Sequence, residues 1–332
     1  MGLLILDRAQ LEVKSEGDTL ALYEAGVRRG TVPLKLIDRC VIQGGQTRLD
    51  SGVLSKLAEA GATTVLMSPR SGRRVAIVLG AQHNDAAVRL AQALRVMDEP
   101  ACRQWGQSLV LAKLRRQRRT LQQLAQARPD ARKALWDAMQ GLATVECHVC
   151  ATDDVPAMAS LRGYEGAAAH AYFAGLTGVF APALQFSGRN RRPPRDPVNV
   201  CLSLSYTMLH VQAVHMAMAT GLDPFLGFYH RPAIGRESLA CDLIEPLRPA
   251  VDMWVWELLR SHTLRGEHFT LDKGACLLGK EGRHIFYSEW EKSCKTLRRW
   301  LRMHCQLLVR ALRGQGLALM QQDGLAQDAS WA

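Results

Sequence analysis

Short apolar runs separated by turn residues mark the first 80 or so positions, and apolar residues at helical spacing mark most of the remainder. Residues 3–6, 11–13, 19–23, 36–42, 63–66 and 75–79 are rich in Leu, Ile, Val and Thr. Turn signals at Glu16-Gly17-Asp18, Gly30, Gly44-Gly45 and Arg70-Ser71-Gly72 bound them, so these runs read as strands. One helix is predicted among them, over 51–60, where Val53, Leu54 and Leu57 share a face and Gly61 ends it. From Asp85 the period lengthens: Val88, Leu90, Leu94 and Met97 open a helical pattern, and Leu109, Leu111, Leu114 and Leu121 carry it past Pro100. The pattern predicts an α+β protein. A small N-terminal β-rich domain, 1–84, precedes a larger all-α domain, 85–313, and 314–332 reads as a flexible tail.

Composition sharpens this picture without changing it. The 332 residues are 48% hydrophobic and 22% charged, which suits globular domains rather than disorder. Lys and Arg number 42 against 31 Asp and Glu, and the excess of +11 favours a polyanionic partner. The charge is clustered. Lys113, Arg115, Arg116, Arg118 and Arg119 lie on one predicted helix, and Lys295, Arg298, Arg299, Arg302 and Arg310 on the last one. Arg189, Arg191, Arg192 and Arg195 lie on a Pro-rich loop. Such clusters suit a phosphate backbone; the alternative for the helical ones is an ordinary solvated face. The loop cluster weighs most, because arginines on a loop have no evident folding reason to be there. Charges interrupt every apolar run before it could span a bilayer, and the start lacks a basic leader region, so no membrane association is expected and the protein reads as cytoplasmic. The nine cysteines are odd in number and scattered, as reduced thiols are; Cys147 and Cys150 have half the spacing of a zinc site, with no second pair to complete it.

Two constellations carry candidate chemistry. Met158, Leu161, Ala168, Tyr172 and Leu176 form one helical stripe, and Glu165 falls in its gap, beside the small residues Gly163, Gly166 and Ala169. A carboxylate on a buried stripe is costly unless paired or coordinated. A salt bridge to a residue such as Arg162 is one explanation; a metal ligand or general base explains the free space better. The second is His230, after Gly227-Phe228-Tyr229, followed by Asp242 and Glu245 on a short helix for which Ser238 is a natural N-cap. Alone, His230 reads as a core histidine and the two acids as helix-start carboxylates. Together, one imidazole and two or three carboxylates form a candidate site for a hard cation, Mg²⁺ or Mn²⁺. A near match to a phosphate-binding loop, from Gly274 to Glu281, fails because Glu281 stands where the Ser or Thr hydroxyl is required.

Arg162-Gly163-Tyr164-Glu165-Gly166, the Asn199 segment, Gly221-Leu222-Asp223-Pro224 through His230, and Gly235-Arg236 through Asp242-Leu243-Ile244-Glu245-Pro246-Leu247-Arg248-Pro249 resemble CRISPR-associated protein one. That family comprises the metal-dependent endonucleases and integrases of spacer acquisition. The resemblance covers nearly the whole chain. It implies that Glu165, His230 and an acid of the Asp242/Glu245 pair bind the metal, with Glu245 the better match and Asp242 the alternate. It implies insertion of new spacers into a CRISPR array by phosphoryl transfer from a DNA 3′-hydroxyl. Double-stranded and branched DNA would be bound through Arg189, Arg191, Arg192, Arg195, Arg236 and Arg248, with Asn199 and Tyr206 supporting the site. It further implies a homodimer formed through the N-terminal domain and a partner, CRISPR-associated protein two. The rival expectation is a catalytically silent DNA-binding scaffold, in which the acids and the histidine are a structural polar network.

Overall fold

The structure, a computed structural model, describes residues 2–69, 74–78, 85–150, 155–190 and 193–322. It divides into two compact units, one of residues 1–83 with 286–295 and one of 84–285 with 296–332. In the first, β1 (Gly2–Leu6), β2 (Leu11–Glu16), β3 (Thr19–Glu24), β4 (Val27–Pro33), β5 (Ile37–Ile42), β6 (Arg48–Leu49), α1 (Ser51–Glu59), β7 (Thr63–Met67) and β8 (Arg74–Val78) follow one another. One sheet has the order β1-β5-β7-β8, parallel except for β8, and the other β4-β3-β2-β6. Alternation along the strands sends Leu11, Val13, Leu20, Ile37, Cys40 and Ile42 into a shared core with Val53 and Leu57 of α1. That helix starts where the Asp50 carboxylate accepts from the Val53 N–H, 2.8 Å away.

Two strands of this unit escape the hydrophobic pattern. β4, Val-Arg-Arg-Gly-Thr-Val-Pro, is an exposed sheet edge and needs no apolar face. It pairs with β3 across Ala25 and Gly26, both at positive φ (51° and 79°), the backbone of a tight two-residue hairpin. β6 has two residues and pairs, among the described residues, with β2 alone. The segment 286–295, which the sequence pattern places among the later helices, belongs with the strands: Tyr287 donates to Gln43 Oε1 (2.9 Å), and Arg39 pairs with Glu291.

The second unit holds α2 (Ala86–Met97), α3 (Glu99–Ala127), α4 (Arg132–Cys150), α5 (Met158–Thr177), α6 (Pro197–Ala219), α7 (Ser238–Ile244) and α8 (Arg248–Arg260). After them come β9 (Phe269–Asp272), β10 (Ala275–Leu278), α9 (Lys280–Ser293), which runs into the first unit, and α10 (Lys295–Gln322). Asp85, Asp98 and Asp196 cap the starts of α2, α3 and α6. Pro100 and Pro197 sit in first turns, where no helical hydrogen bond is lost. α6 is apolar on nearly every side and is accordingly buried along its length, from Val198 to Ala217. Gly175 of α5 lets α4 approach so closely that a Cβ there would stand 2.6 Å from the Ala138 Cβ.

Two expectations for this unit are corrected. It is not all-α: the hairpin β9–β10 interrupts it, closed by Lys273 and Gly274 at positive φ (48° and 79°). The segment resembling a phosphate loop is this turn, β10 and the start of α9. Nor does the tail begin at 314, because α10 continues to Gln322. Leu312 and Gly316 are buried, and a Cβ at Gly316 would lie 2.0 Å from the Ala87 carbonyl oxygen, so close contact with α2 sustains the helix past its charged face. The remainder, 323–332, lies outside the described residues.

Candidate metal centre

The loop before α7 is built around one carboxylate. Asp242, fully buried, accepts the backbone N–H of Phe228 (2.8 Å) and Tyr229 (3.0 Å) at Oδ2, and that of His230 (2.9 Å) at Oδ1. Its Oδ1 also lies 2.8 Å from His230 Nδ1. An ionised carboxylate only accepts, so Nδ1 carries the ring proton and the Nε2 lone pair is left for a ligand. Gly227 is needed here because a Cβ would stand 2.5 Å from the Ser238 carbonyl carbon and 2.6 Å from the His230 oxygen. Gln92 of α2 fixes the start of the loop, donating to the Asp223 and Leu226 carbonyls (2.9 Å each) and accepting from the Asp223 N–H. Ser238, expected as an N-cap, is instead the first residue of α7, and its hydroxyl donates to the Arg231 carbonyl (3.1 Å).

Glu165 and Glu245 meet at a cation that the sequence pattern leaves within a basic cluster. Lys113 of α3, nearly buried, donates from Nζ to Glu165 Oε1 (2.5 Å) and to Glu245 Oε2 (2.6 Å). Those two oxygens are therefore no more than about 5 Å apart, the two bonds laid end to end. Tyr229 donates its hydroxyl to Glu165 Oε2 (2.7 Å), and Arg248 pairs with Glu245 Oε1 (2.9 Å). Burial works to raise the Glu245 carboxyl, but Arg248 and Lys113 outweigh it and hold it at about 2, with the nearby His230 adding to the effect. Burial likewise opposes the charge on Lys113, and the two glutamates override it. The salt bridge weighed for Glu165 thus exists, with Lys113 in place of Arg162. On the same helix a Cβ at Gly163 or Gly166 would meet nothing within 4 Å, so the helix surface at those two positions is open.

A second buried network lies behind Glu245. The Arg248 guanidinium stands 4.9 Å from the centre of the Tyr206 ring, and that of Arg189 stands 5.5 Å from it. Tyr206 and Tyr172 both donate to Asp252 on α8, the latter at 2.9 Å, yet burial still pushes the Asp252 carboxyl up to about 6. Arg189 also donates to Asn199 Oδ1 (2.7 Å) and Ser203 Oγ (3.0 Å), and Asn199 donates to the Gly188 carbonyl (2.8 Å). The notion that the loop arginines have no folding role fails for Arg189, which ties its loop to α6. Of the residues expected to face DNA or support the site, Arg248 pairs through one nitrogen with Glu245 and Tyr206 donates to Asp252. Arg195 and Arg236 are exposed; Arg191 and Arg192 lie outside the described residues. The α3 cluster is likewise divided: Arg115 and Arg118 pair with Glu146, and Arg116 lies 4.1 Å from the centre of the Trp300 ring. Cys147 and Cys150 are free and exposed near the end of α4.

Among the described residues, no three ligating side chains already surround one point. The donor chemistry nevertheless fits a divalent ion. Two carboxylate oxygens share one cation, and an imidazole nitrogen is freed by its own carboxylate partner nearby. Asp242 is engaged by the loop it organises, which leaves Glu245 as the acid that meets Glu165.

Comparison with known proteins agrees with this architecture. Residues 4–292 match the family described as CRISPR associated protein Cas1. The CRISPR-associated endonuclease Cas1 1 of Thermodesulfovibrio yellowstonii is 34% identical over 306 residues, covering 90% of this chain and 93% of its own. The CRISPR-associated endonuclease Cas1 2 of Rhodospirillum rubrum is 36% identical over 329 residues, covering 91% and 92%. Among solved structures, a casposase bound to its integration product superposes with a TM-score of 0.82 at 20% identity, over 95% of this chain and 91% of that one. A Cas6-RT-Cas1–Cas2 complex gives 0.78 at 23% identity, over 95% of this chain and 35% of that one. The chain belongs to the Cas1 family.

Proposed function

We propose that this chain is a divalent-metal-dependent DNA endonuclease and integrase that inserts new spacers into a CRISPR array. The observation that carries the reading is the meeting of Glu165 and Glu245 at one cation; Tyr229, which holds Glu165, adjoins His230, whose ring Asp242 orients. Glu165, Glu245 and His230 Nε2 would hold Mg²⁺ or Mn²⁺. When bound, the ion supplies Lewis acidity to a phosphodiester and offsets charge on the attacking and leaving oxygens. The protein's own groups do the positioning. Asp242 fixes the tautomer and angle of His230, Tyr229 pins one oxygen of Glu165, and Arg248 pins one oxygen of Glu245. Neither glutamate then has to be ordered when substrate arrives.

The nucleophile for joining is the 3′-hydroxyl of an incoming DNA end; for cleavage it is water. Exposed arginines, among them Arg115, Arg119, Arg195, Arg236, Arg299 and Arg302, offer phosphate contacts that position a duplex without reading its bases. The proposed partners are double-stranded and branched DNA, a second copy of the chain, and Cas2, which is named beside Cas1 in one structural neighbour. Among the described residues no helix is long and apolar enough to cross a membrane.

The test is joining of a labelled DNA end to a branched or supercoiled target by the full-length protein. Product is expected with a 3′-hydroxyl end and Mn²⁺, and none with a 3′-deoxy end or with EDTA. A scaffold, for which the Lys113 ion pairs would be purely structural, gives no product under any of these conditions.

A further inference from the structure

Lys113 places one positive charge in contact with both glutamates of the candidate metal centre. We propose that Lys113 is the resident counter-ion of this site, holding Glu165 and Glu245 in register in the metal-free protein and leaving the gap when a divalent ion enters. The inference rests on the metal reading above and adds the group that the metal must displace. Two carboxylates whose oxygens lie no more than about 5 Å apart, one buried and the other about a fifth exposed, repel and cannot both stay ionised at low cost without a cation between them. The Lys113 ammonium supplies that cation at 2.5 and 2.6 Å.

A divalent ion would have to take the same oxygens at about 2.0–2.3 Å. It and the ammonium therefore exclude one another, by contact and by like charge. Metal binding becomes an exchange of one cation for another, weaker than the donor set alone would give. Arg248 stands outside this exchange: it holds the other oxygen of Glu245, Oε1, and its guanidinium rests over the Tyr206 ring. The lysine stem is flexible enough to swing aside with its charge intact, and an incoming DNA phosphate is a natural new partner for it.

The test is Mn²⁺ binding to the full-length protein without DNA, by calorimetry, for wild type, Lys113→Met and Lys113→Gln. Removing the competitor should tighten Mn²⁺ binding by about tenfold or more, while the metal-free variants melt at a lower temperature than wild type and recover on adding Mn²⁺. A second measurement needs no variant. In wild type, labelling of Lys113 by an amine-acylating reagent, read by mass spectrometry, should accelerate several-fold once Mn²⁺ is present. Equal or weaker Mn²⁺ binding by the variants, or labelling unmoved by metal that does bind, would overturn this inference alone. No Mn²⁺ binding by any of the three proteins would overturn the metal reading and this inference together.

Discussion

Replacing Glu165 or His230 by Ala is expected to lower DNA joining by about a hundredfold or more, because each substitution removes a donor from a site that has few. DNA binding should stay within about threefold of wild type, since the exposed arginines proposed to contact phosphate are untouched. The fold should survive as well. Glu165 is about a fifth exposed, and without it Lys113 still faces one carboxylate, Glu245. His230→Ala leaves Asp242 with its three backbone donors. Glu245→Ala is a different case. It strands Lys113 and Arg248 against Glu165 alone, so lost activity there would be confounded by roughly 3 kcal/mol of lost stability. Joining, DNA affinity by fluorescence anisotropy and thermal melting on the same preparations separate these cases. Activity within tenfold of wild type in Glu165→Ala would remove Glu165 from the mechanism.

The second large effect is expected at Asp242, and it concerns folding as much as chemistry. Four donors converge on this carboxylate; Asp242→Ala would leave those of Phe228 and Tyr229 in a dry interior and take the partner from the half-buried His230 pair. Each unsatisfied buried donor costs about 1–3 kcal/mol, so a loss of roughly 3 kcal/mol or more is expected in urea unfolding. Asp242→Asn does not rescue it. Whichever way the amide turns, its NH₂ faces either the Phe228 and Tyr229 N–H groups or the His230 pair, where an acceptor is required. In Asp242→Ala, and in Asp242→Asn wherever the NH₂ faces His230, the imidazole loses the acceptor that sets its tautomer, and joining should fall with stability. A change below about 1 kcal/mol for Asp242→Ala would mean that the loop is held by something else.

The parts of this protein that obey a period could be read from its sequence. Most strands of the first unit, helix α1 and the buried stripe of α5 follow from spacing. The edge strand β4 did not, because an exposed strand carrying Arg28 and Arg29 has no apolar alternation to show. Ala25-Gly26 and Lys273-Gly274 are hairpin turns signalled by one glycine each, and the residue before it, Ala or Lys, is one that rarely takes positive φ. Lys113 was concealed by its neighbours, since five basic residues within seven positions read as one surface patch. A helical wheel separates it. Lys113 adjoins Leu109, Leu114 and Gln117 on the buried side of α3, whereas Arg115 and Arg119 point outward. The division of labour between Asp242 and Glu245 could not be read from their spacing, and only the family resemblance favoured Glu245. Three residues apart on one turn, they look equivalent until the 227–230 loop folds onto the first and Arg248 and Lys113 take the second.

The central claim, that Glu165, His230 and Glu245 hold the ion that the chemistry requires, is tested most directly by anomalous scattering from crystals of the full-length protein grown with Mn²⁺. The predicted result is a manganese peak about 2–2.5 Å from a carboxylate oxygen of Glu165, one of Glu245 and His230 Nε2, with Asp242 still on Nδ1. A manganese peak elsewhere, with Glu165 and Glu245 still joined through Lys113, would contradict it.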